Sequence, residues 1–302
     1  MLSKYGENSY LDLLTDYISP GREIKIENGF PASDFVKDTP GLRANAYYFG
    51  KPEWASGWLK FVHRSPLLAE RWKALGGSWK DKVVIDIGCG PGNLQATLNE
   101  SPRILIGVDV SPGTLKYAVE LGYIPLIADA HAMPLRSEVA DIVALNSTLH
   151  HVDEMEDVLR EAARLVKPGG VLIADHDPQK SATMLRFLGK FLWVLRMPIY
   201  KFLDRGGHRA VNNEQAWAKA TEIHHKPGDG VTEEMFRKIL EPEGFEVTLY
   251  PHNTTVGKEI INGVRGKKPL KYAIAQLLSG INPYSKEAAL ILMCIAKRKS
   301  KI

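Results

Sequence analysis

Cysteine is nearly missing from this sequence. Of 302 residues only Cys89 and Cys294 are cysteines. Both fall on stretches expected to lie in a core, which argues against a disulfide framework and for a reducing, cytoplasmic setting. No stretch approaches the roughly 20 uninterrupted apolar residues of a helical membrane span. The first residues include Glu7, Asp12 and Asp16 and no apolar h-region, which is not the pattern of a secretory signal. Internal repeats and low-complexity tracts are missing too. Charge of one sign is scarce: the formal net charge is +4, much of it in Lys297-Arg298-Lys299-Ser300-Lys301. That run reads as a solvated end, not a nucleic-acid surface. Apolar content is plentiful, 44% hydrophobic against 25% charged, enough for a sizeable core with additions around it.

The most informative stretch is Val83-Val84-Ile85-Asp86-Ile87-Gly88-Cys89-Gly90-Pro91-Gly92-Asn93-Leu94, an apolar strand, a small-residue turn and a helix start. Glycines there let the backbone turn sharply and approach a ligand. A helix starting near Asn93 aims free N–H groups and its positive end at that ligand. Dinucleotide folds want G-x-G-x-x-G, whereas Gly88, Gly90 and Gly92 alternate here and Asn93 takes the fourth position. The spacing disfavours a pyrophosphate and favours S-adenosylmethionine.

The motif Asp86-x-Gly88-x-Gly90-x-Gly92 resembles the first motif of the class I S-adenosylmethionine-dependent methyltransferases, in their small-molecule branch. The resemblance runs from about Lys82 to about Asp175 and resumes near Phe245. It implies a Rossmann-like, doubly wound α/β fold with a mostly parallel seven-stranded sheet and an antiparallel last strand. The residues support it independently. Ile104–Asp109, Ile124–Ile127, Asp141–Asn146 and Val171–Asp175 read as buried strands, and Met155, Val158, Leu159, Ala162, Leu165 and Val166 fall at helical spacing. Ser111-Pro112 reads as a hydroxyl cap and first-turn proline, and Lys167-Pro168-Gly169-Gly170 stops the preceding helix. The run Ala288–Ala296 resembles the family's last strand beside Phe245–Tyr250.

Ligands of such sheets bind beyond the strands' carboxyl ends, which makes the candidate cofactor residues Tyr47, Asp86, Gly88, Gly90, Asp109, Val110, Asp129, Ala130 and Asn146. Asp109 closes its strand where two ribose hydroxyls need an acceptor, and a carboxylate accepts from both. The resemblance implies Asp86 on the methionine amino group, and Asp129-Ala130 on the adenine amino group and a ring nitrogen.

Four regions are expected: an N-terminal arm with lid helices over 1–80, the cofactor core over 81–177, an inserted helical substrate lid over 178–243, and strands completing the sheet over 244–302. Tyr47, Tyr48, Phe49, Trp54 and Trp58 either close over a sulfonium or pack helices onto the sheet. Met184, Phe187, Phe191, Trp193, Tyr200, Phe202 and Trp217 give the insertion an apolar, aromatic wall suited to a like acceptor. Arg186, Lys190, Arg196 and Lys201 lie among them. They either lay a Pro198-limited helix on an anionic membrane or snorkel from an ordinary lid, the favoured alternative.

Methyl transfer to a hydroxyl needs a proton acceptor, and the candidates are His150 and His151 after the fourth strand and His176 after the fifth. His208, His224 and His225 in the insertion either reach the pocket or, as lone lid histidines usually do, lie at the surface. Asp175-His176-Asp177 raises a metal site, but the metal-dependent catechol enzymes want an acid where this chain has Asn146, so no metal is expected. Asn146-Ser147-Thr148-Leu149 lacks the Asn-Pro-Pro-aromatic and Pro-Cys signatures of base methylation, which again argues against nucleic acid. The reading is an O-methyltransferase of a small apolar or aromatic metabolite. Its rivals are a C- or O-methyltransferase of a quinone or lipid at a membrane surface, and a cofactor-binding scaffold without turnover.

Overall fold

Apolar runs closed by acids become the parallel strands of one sheet. The computed structural model describes residues 7–35, 37–61, 64–191 and 212–300. The Trp58 side chain and Trp193, Arg196, Pro198, Tyr200, Lys201, Phe202 and His208 lie outside what is described. The strands are β1 (Lys25–Glu27), β2 (Phe30–Ala32), β3 (Val83–Ile87), β4 (Ile104–Asp109), β5 (Ile124–Ile127), β6 (Ala140–Asn146), β7 (Val166–Asp175), β8 (Phe245–His252) and β9 (Ile291–Arg298). They form a sheet in the order β1-β2-β5-β4-β3-β6-β7-β9-β8.

Strands β5, β4, β3, β6 and β7 run parallel, and β9 inserts antiparallel between β7 and β8. The order reverses at β3, so the crevice beyond β3 and β4 is where a ligand is expected. All five residues of β3 are buried, as a strand covered on both faces requires. The seven expected strands are all present. A hairpin from the N-terminal arm adds β1 and β2, the latter pairing with β5 through Ala32 and Ile127.

Helices α1 (Glu7–Leu14), α2 (Pro40–Phe49), α3 (Pro52–Phe61) and α4 (Pro66–Gly76) precede the core, with proline inside the first turn of α2 and α4 where its missing N–H costs nothing. Within the core, α5 (Asn93–Leu98), α6 (Pro112–Ala118) and α7 (Met155–Leu165) follow β3, β4 and β6. Ser111 precedes α6, but its hydroxyl makes no cap. It donates to Ala46 O at 2.9 Å, tying α6 to α2. The expected cap is therefore corrected to an inter-helix tether.

Two pieces lie outside the expected layout of the insertion. The helix Glu233–Leu240, capped by Thr232 and buried through Met235, Phe236, Ile239 and Leu240, packs on the sheet as an ordinary crossover within the stretch 178–243. A further insertion separates β8 from β9 and carries the helix Leu270–Leu277. Among the described residues no helix is long and apolar enough to cross a membrane.

Candidate active site

The turn after β3 shapes the floor of a cavity. Gly88, Gly90 and Gly92 all have positive φ. Gly92, left-handed at φ +87°, is the N-cap of α5, and a side chain there would strike Leu121 and Tyr123. At Gly90 a Cβ would meet nothing within 4 Å, so hydrogen there leaves open space for a ligand to reach the backbone. The cavity, about 1110 Å³ including its open mouth, is lined by Asp86, Gly88, Gly90, Asp109, Val110, Asp129, Ala130, Asn146 and His151, among others.

Three acids ring the floor in different electrostatic states. Asp86 is 1% exposed, and burial pushes its carboxyl up to about 7 against the pull of the Tyr123 hydroxyl, which donates to Asp86 Oδ2 at 2.6 Å. A cationic ligand group beside it restores the charged form. Asp109 Oδ2 accepts from Gly90 N and its Oδ1 from Ser111 N, both at 2.9 Å. The Val110 backbone and the Thr114 hydroxyl also bond the carboxylate, which holds it in place at the cavity edge. Burial raises the Asp109 carboxyl as well. At Asp129 burial is outweighed by hydrogen bonds and charge from His131, holding the carboxyl below its usual range, while the same bond raises His131.

The roof comes from the N-terminal helices. Leu42, Asn45 and Phe49 of α2 and Ala55 of α3 line the cavity. Spaced three and four residues apart, Leu42, Asn45 and Phe49 share one helix face. Tyr47 lies on another: it is 50% exposed and packs against Trp217, ring centroids 4.9 Å apart. It is outside the cavity lining, and Phe49 is the aromatic that faces in, its ring 5.1 Å from His151. A polar nucleoside ligand fits a lining that carries the carboxylates of Asp86, Asp109 and Asp129 and the open backbone at Gly90; Asn45 and Asn93 line it too, and the Oδ1 of each is buried without a hydrogen-bond partner.

The three candidate histidines separate. His150 and His151 form the short turn Leu149–His151 after β6, with ring centroids 3.9 Å apart. His151 reaches the cavity; its Nδ1 faces Thr221 O at 2.7 Å, an oxygen that only accepts, so the Nδ1 proton is fixed and Nε2 carries the lone pair. His150, 5% exposed, turns Nδ1 to Asp177 Oδ1 at 2.8 Å and is outside the lining. Burial lowers both imidazoles to about 4 and pushes Asp177 up to about 7. His176 is outside the lining too, its rings nitrogens 3.1 Å from Asn146 Oδ1 and 3.4 Å from Arg71 Nη2.

Asp175, His176 and Asp177 do not converge on one centre. Asp177 serves His150, whereas Asp175 accepts from Arg71 Nε at 3.0 Å and Trp72 Nε1 at 2.9 Å and meets His252 Nε2 at 2.9 Å. Residues missed at the sequence level are Tyr123, Asn45, Leu42 and Glu222. Glu222 follows the helix Asn212–Thr221 and lies 3.8 Å from His150 Nε2. The helical spacing of Leu42, Asn45 and Phe49 is the one signal that points to the roof.

A strand order reversing at β3, a glycine turn open to a ligand and three strand-end acids define a nucleoside-cofactor α/β enzyme fold. A methyltransferase-domain family model matches residues 85–174. The ubiquinone biosynthesis O-methyltransferase of Bordetella avium is 34% identical over 155 residues, covering 48% of this chain and 61% of that protein. Its namesake in Pseudomonas entomophila is 30% identical over 165 residues, covering 50% of this chain and 68% of that protein. The solved geranyl diphosphate C-methyltransferase of Streptomyces coelicolor A3(2) shares the fold at 13% identity, with a TM-score of 0.53 over 87% of this chain and 100% of that one. The chain thus belongs to the class I S-adenosylmethionine-dependent methyltransferases. It spans 61% and 64% of the first two curated relatives it matches.

Proposed function

We propose that this protein transfers a methyl group from S-adenosylmethionine to a small, fairly apolar or aromatic acceptor, at a hydroxyl oxygen. The observation that carries the reading is the meeting of Asp86, Asp109, Asp129 and Gly90 with His151 and Phe49 around one cavity.

When bound, S-adenosylmethionine supplies a methyl already activated on a sulfonium. The residues that would hold it are Asp86 at the amino group, Asp109 at the ribose, Asp129 and Ala130 at the adenine edge, and Gly88 and Gly90 along the backbone approach. The chain's remaining work is positioning and drying. Leu42, Phe49 and Ala55 exclude water from above, and Asn45 and His151 meet the acceptor. The acceptor's proton leaves toward the His151 end, where the fixed Nδ1–H leaves an unprotonated Nε2 available. The ubiquinone-pathway relatives are named as O-methyltransferases, which agrees with oxygen as the receiving atom.

A second reading, an acceptor dissolved in or attached to a membrane, is favoured by one surface. Phe187, Leu188 and Phe191 are 86%, 51% and 60% exposed, and Leu270, Ile274 and Leu277 are 73%, 45% and 65% exposed. The two stretches meet where Ser279 Oγ accepts from Arg186 N. Residues 184–191 and 258–286 hold eight Lys or Arg against one acid, Glu259, a basic apolar face suited to anionic lipid.

Calorimetry with S-adenosylmethionine, followed by transfer of a labelled methyl to a panel of hydroxylated aromatics and quinones, tests the reading. Binding with turnover on a hydroxyl supports it. Binding with no turnover on any acceptor supports the scaffold alternative, and no binding overturns the reading.

A further inference from the structure

We propose that His150, His151 and Glu222 form a site for a divalent transition-metal ion at the acceptor end of the cavity. Binding of the ion stands by itself; its use in catalysis rests on the methyl-transfer reading above. The end of β6 carries Asn146 and no acid, which is why no metal is expected from that strand. The carboxylate of this cluster comes instead from Glu222, just after the helix Asn212–Thr221.

One ligand atom from each of the three side chains lies within 4.8 Å of the others, and His150 Nε2 stands 3.8 Å from a Glu222 oxygen. Metal–nitrogen and metal–oxygen bonds of about 2.0–2.2 Å call for a contraction of roughly an ångström. Glu222, with its side chain 40% exposed just beyond the end of the Asn212–Thr221 helix, is placed to supply it.

What distinguishes this cluster from three neighbouring polar groups is its support. Metal-binding histidines hold their second ring nitrogen on a carboxylate or a carbonyl, which fixes tautomer and ring plane. Here His150 Nδ1 rests on Asp177 Oδ1 at 2.8 Å and His151 Nδ1 on Thr221 O at 2.7 Å, one of each kind. Glu222 is held in turn by His225, whose Nδ1 lies 2.6 Å from Oε2. The two histidines are therefore oriented from behind and both offer Nε2, while the Glu222 oxygen nearest His150 is the one His225 holds, so Glu222 binds an ion through its other oxygen or by releasing His225.

Two imidazoles and one carboxylate select borderline ions such as Zn²⁺, Mn²⁺, Fe²⁺ or Co²⁺ over Mg²⁺ or Ca²⁺, which prefer oxygen throughout. Three protein ligands leave coordination positions open, and His151 lines the cavity, so these positions adjoin the acceptor. An acceptor hydroxyl bound there sheds its proton more readily. With the ion bound, His151 Nε2 is a ligand and no longer accepts the proton, which passes instead to water at the open mouth; the oxygen's electron pair forms the new C–O bond, and the C–S pair stays on the departing sulfur.

The test uses tag-free full-length protein stripped with a chelator. Titration with Co²⁺ should produce visible absorption saturating at one equivalent, and Zn²⁺ should bind at the same stoichiometry by calorimetry. Glu222→Gln should weaken both by at least about tenfold while affinity for S-adenosylmethionine stays unchanged, which shows that the variant is folded. Absence of one-equivalent binding by Co²⁺, Zn²⁺, Mn²⁺ and Fe²⁺ overturns the inference, as does Glu222→Gln binding as tightly as the parent. Full turnover in the stripped protein overturns the catalytic use alone. Metal binding without S-adenosylmethionine binding leaves the site standing and overturns the methyl-transfer reading.

Discussion

The Tyr123 hydroxyl donates to Asp86 Oδ2 at 2.6 Å, so a residue just before β5 holds the carboxylate of β3 where the cofactor's amino group is expected. Burial pushes Asp86 up to about 7, above its unfolded value, so the folded chain keeps the proton to higher pH. Its ionisation therefore costs stability as pH rises from about 4 to about 7. An ammonium ligand needs the ionised form, so affinity for S-adenosylmethionine should rise with pH through about 7. Tyr123→Phe removes a stabilising hydrogen bond, moves that rise to higher pH and lowers affinity severalfold near neutrality. Calorimetry across this range checks it, and a flat profile in both proteins removes Asp86 from the amino group.

Asp109→Asn keeps the side chain's shape and discards its charge. Loss of charge-assisted hydrogen bonds to two hydroxyls should weaken S-adenosylmethionine binding by at least roughly tenfold, about 1.4 kcal/mol. Unchanged affinity by calorimetry removes the ribose assignment.

Replacing His151 with Asn should leave cofactor affinity near its original value and reduce kcat by about a hundredfold or more. His176→Asn should act on stability instead, since both ring nitrogens engage Asn146 and Arg71. Steady-state kinetics beside thermal melts separate the two outcomes. A fully active His151 variant removes that residue from proton transfer.

Arg71 and Asp175 are a wholly buried ion pair. Burial alone would raise the Asp175 carboxyl, but the Arg71 charge and neighbouring histidines hold it well below its usual range. The pair's stabilisation is therefore present above the unfolded carboxylate pKa of about 3.9 and is lost as pH falls through the lower folded value. Arg71→Met strands the charge and should cost about 3–5 kcal/mol in urea unfolding. A loss below about 1 kcal/mol means that Trp72 and His252 suffice.

If the basic apolar face contacts lipid, the protein should float with vesicles rich in phosphatidylglycerol and not with phosphatidylcholine alone. Phe187→Ser with Leu277→Ser should abolish flotation without altering cofactor affinity. Equal recovery of parent and variant means that this face has another use.

Much of the cofactor half was legible in the sequence because parallel strands buried on both faces read as continuous apolar runs, and Asp86 and Asp109 stand at or near their ends. The hairpin of β1 and β2 was not: three-residue strands, one with Pro31 in the middle, carry too little alternation to register. The prolines and glycines of the arm read as irregular structure, which hides the helical face: as the helix α2 it turns Leu42, Asn45 and Phe49 inward and Tyr47 toward Trp217. Contacts between distant segments left no local trace. Tyr123 on Asp86 and Glu222 beside His150 are separated by 37 and 72 positions in the chain, and no periodicity brings such pairs together.

The hairpin that extends the sheet beside β5 also guards it. All three residues of β1 are exposed, and two of them, Lys25 and Glu27, are charged, so this border is too short and too charged to recruit another chain's strand. Without that guard, the buried apolar row Ile124–Ile127 would become a bare border ready to zip onto a neighbour. Shortening the chain past Ala32 should then show itself first as clumping, before any loss of the cofactor cleft.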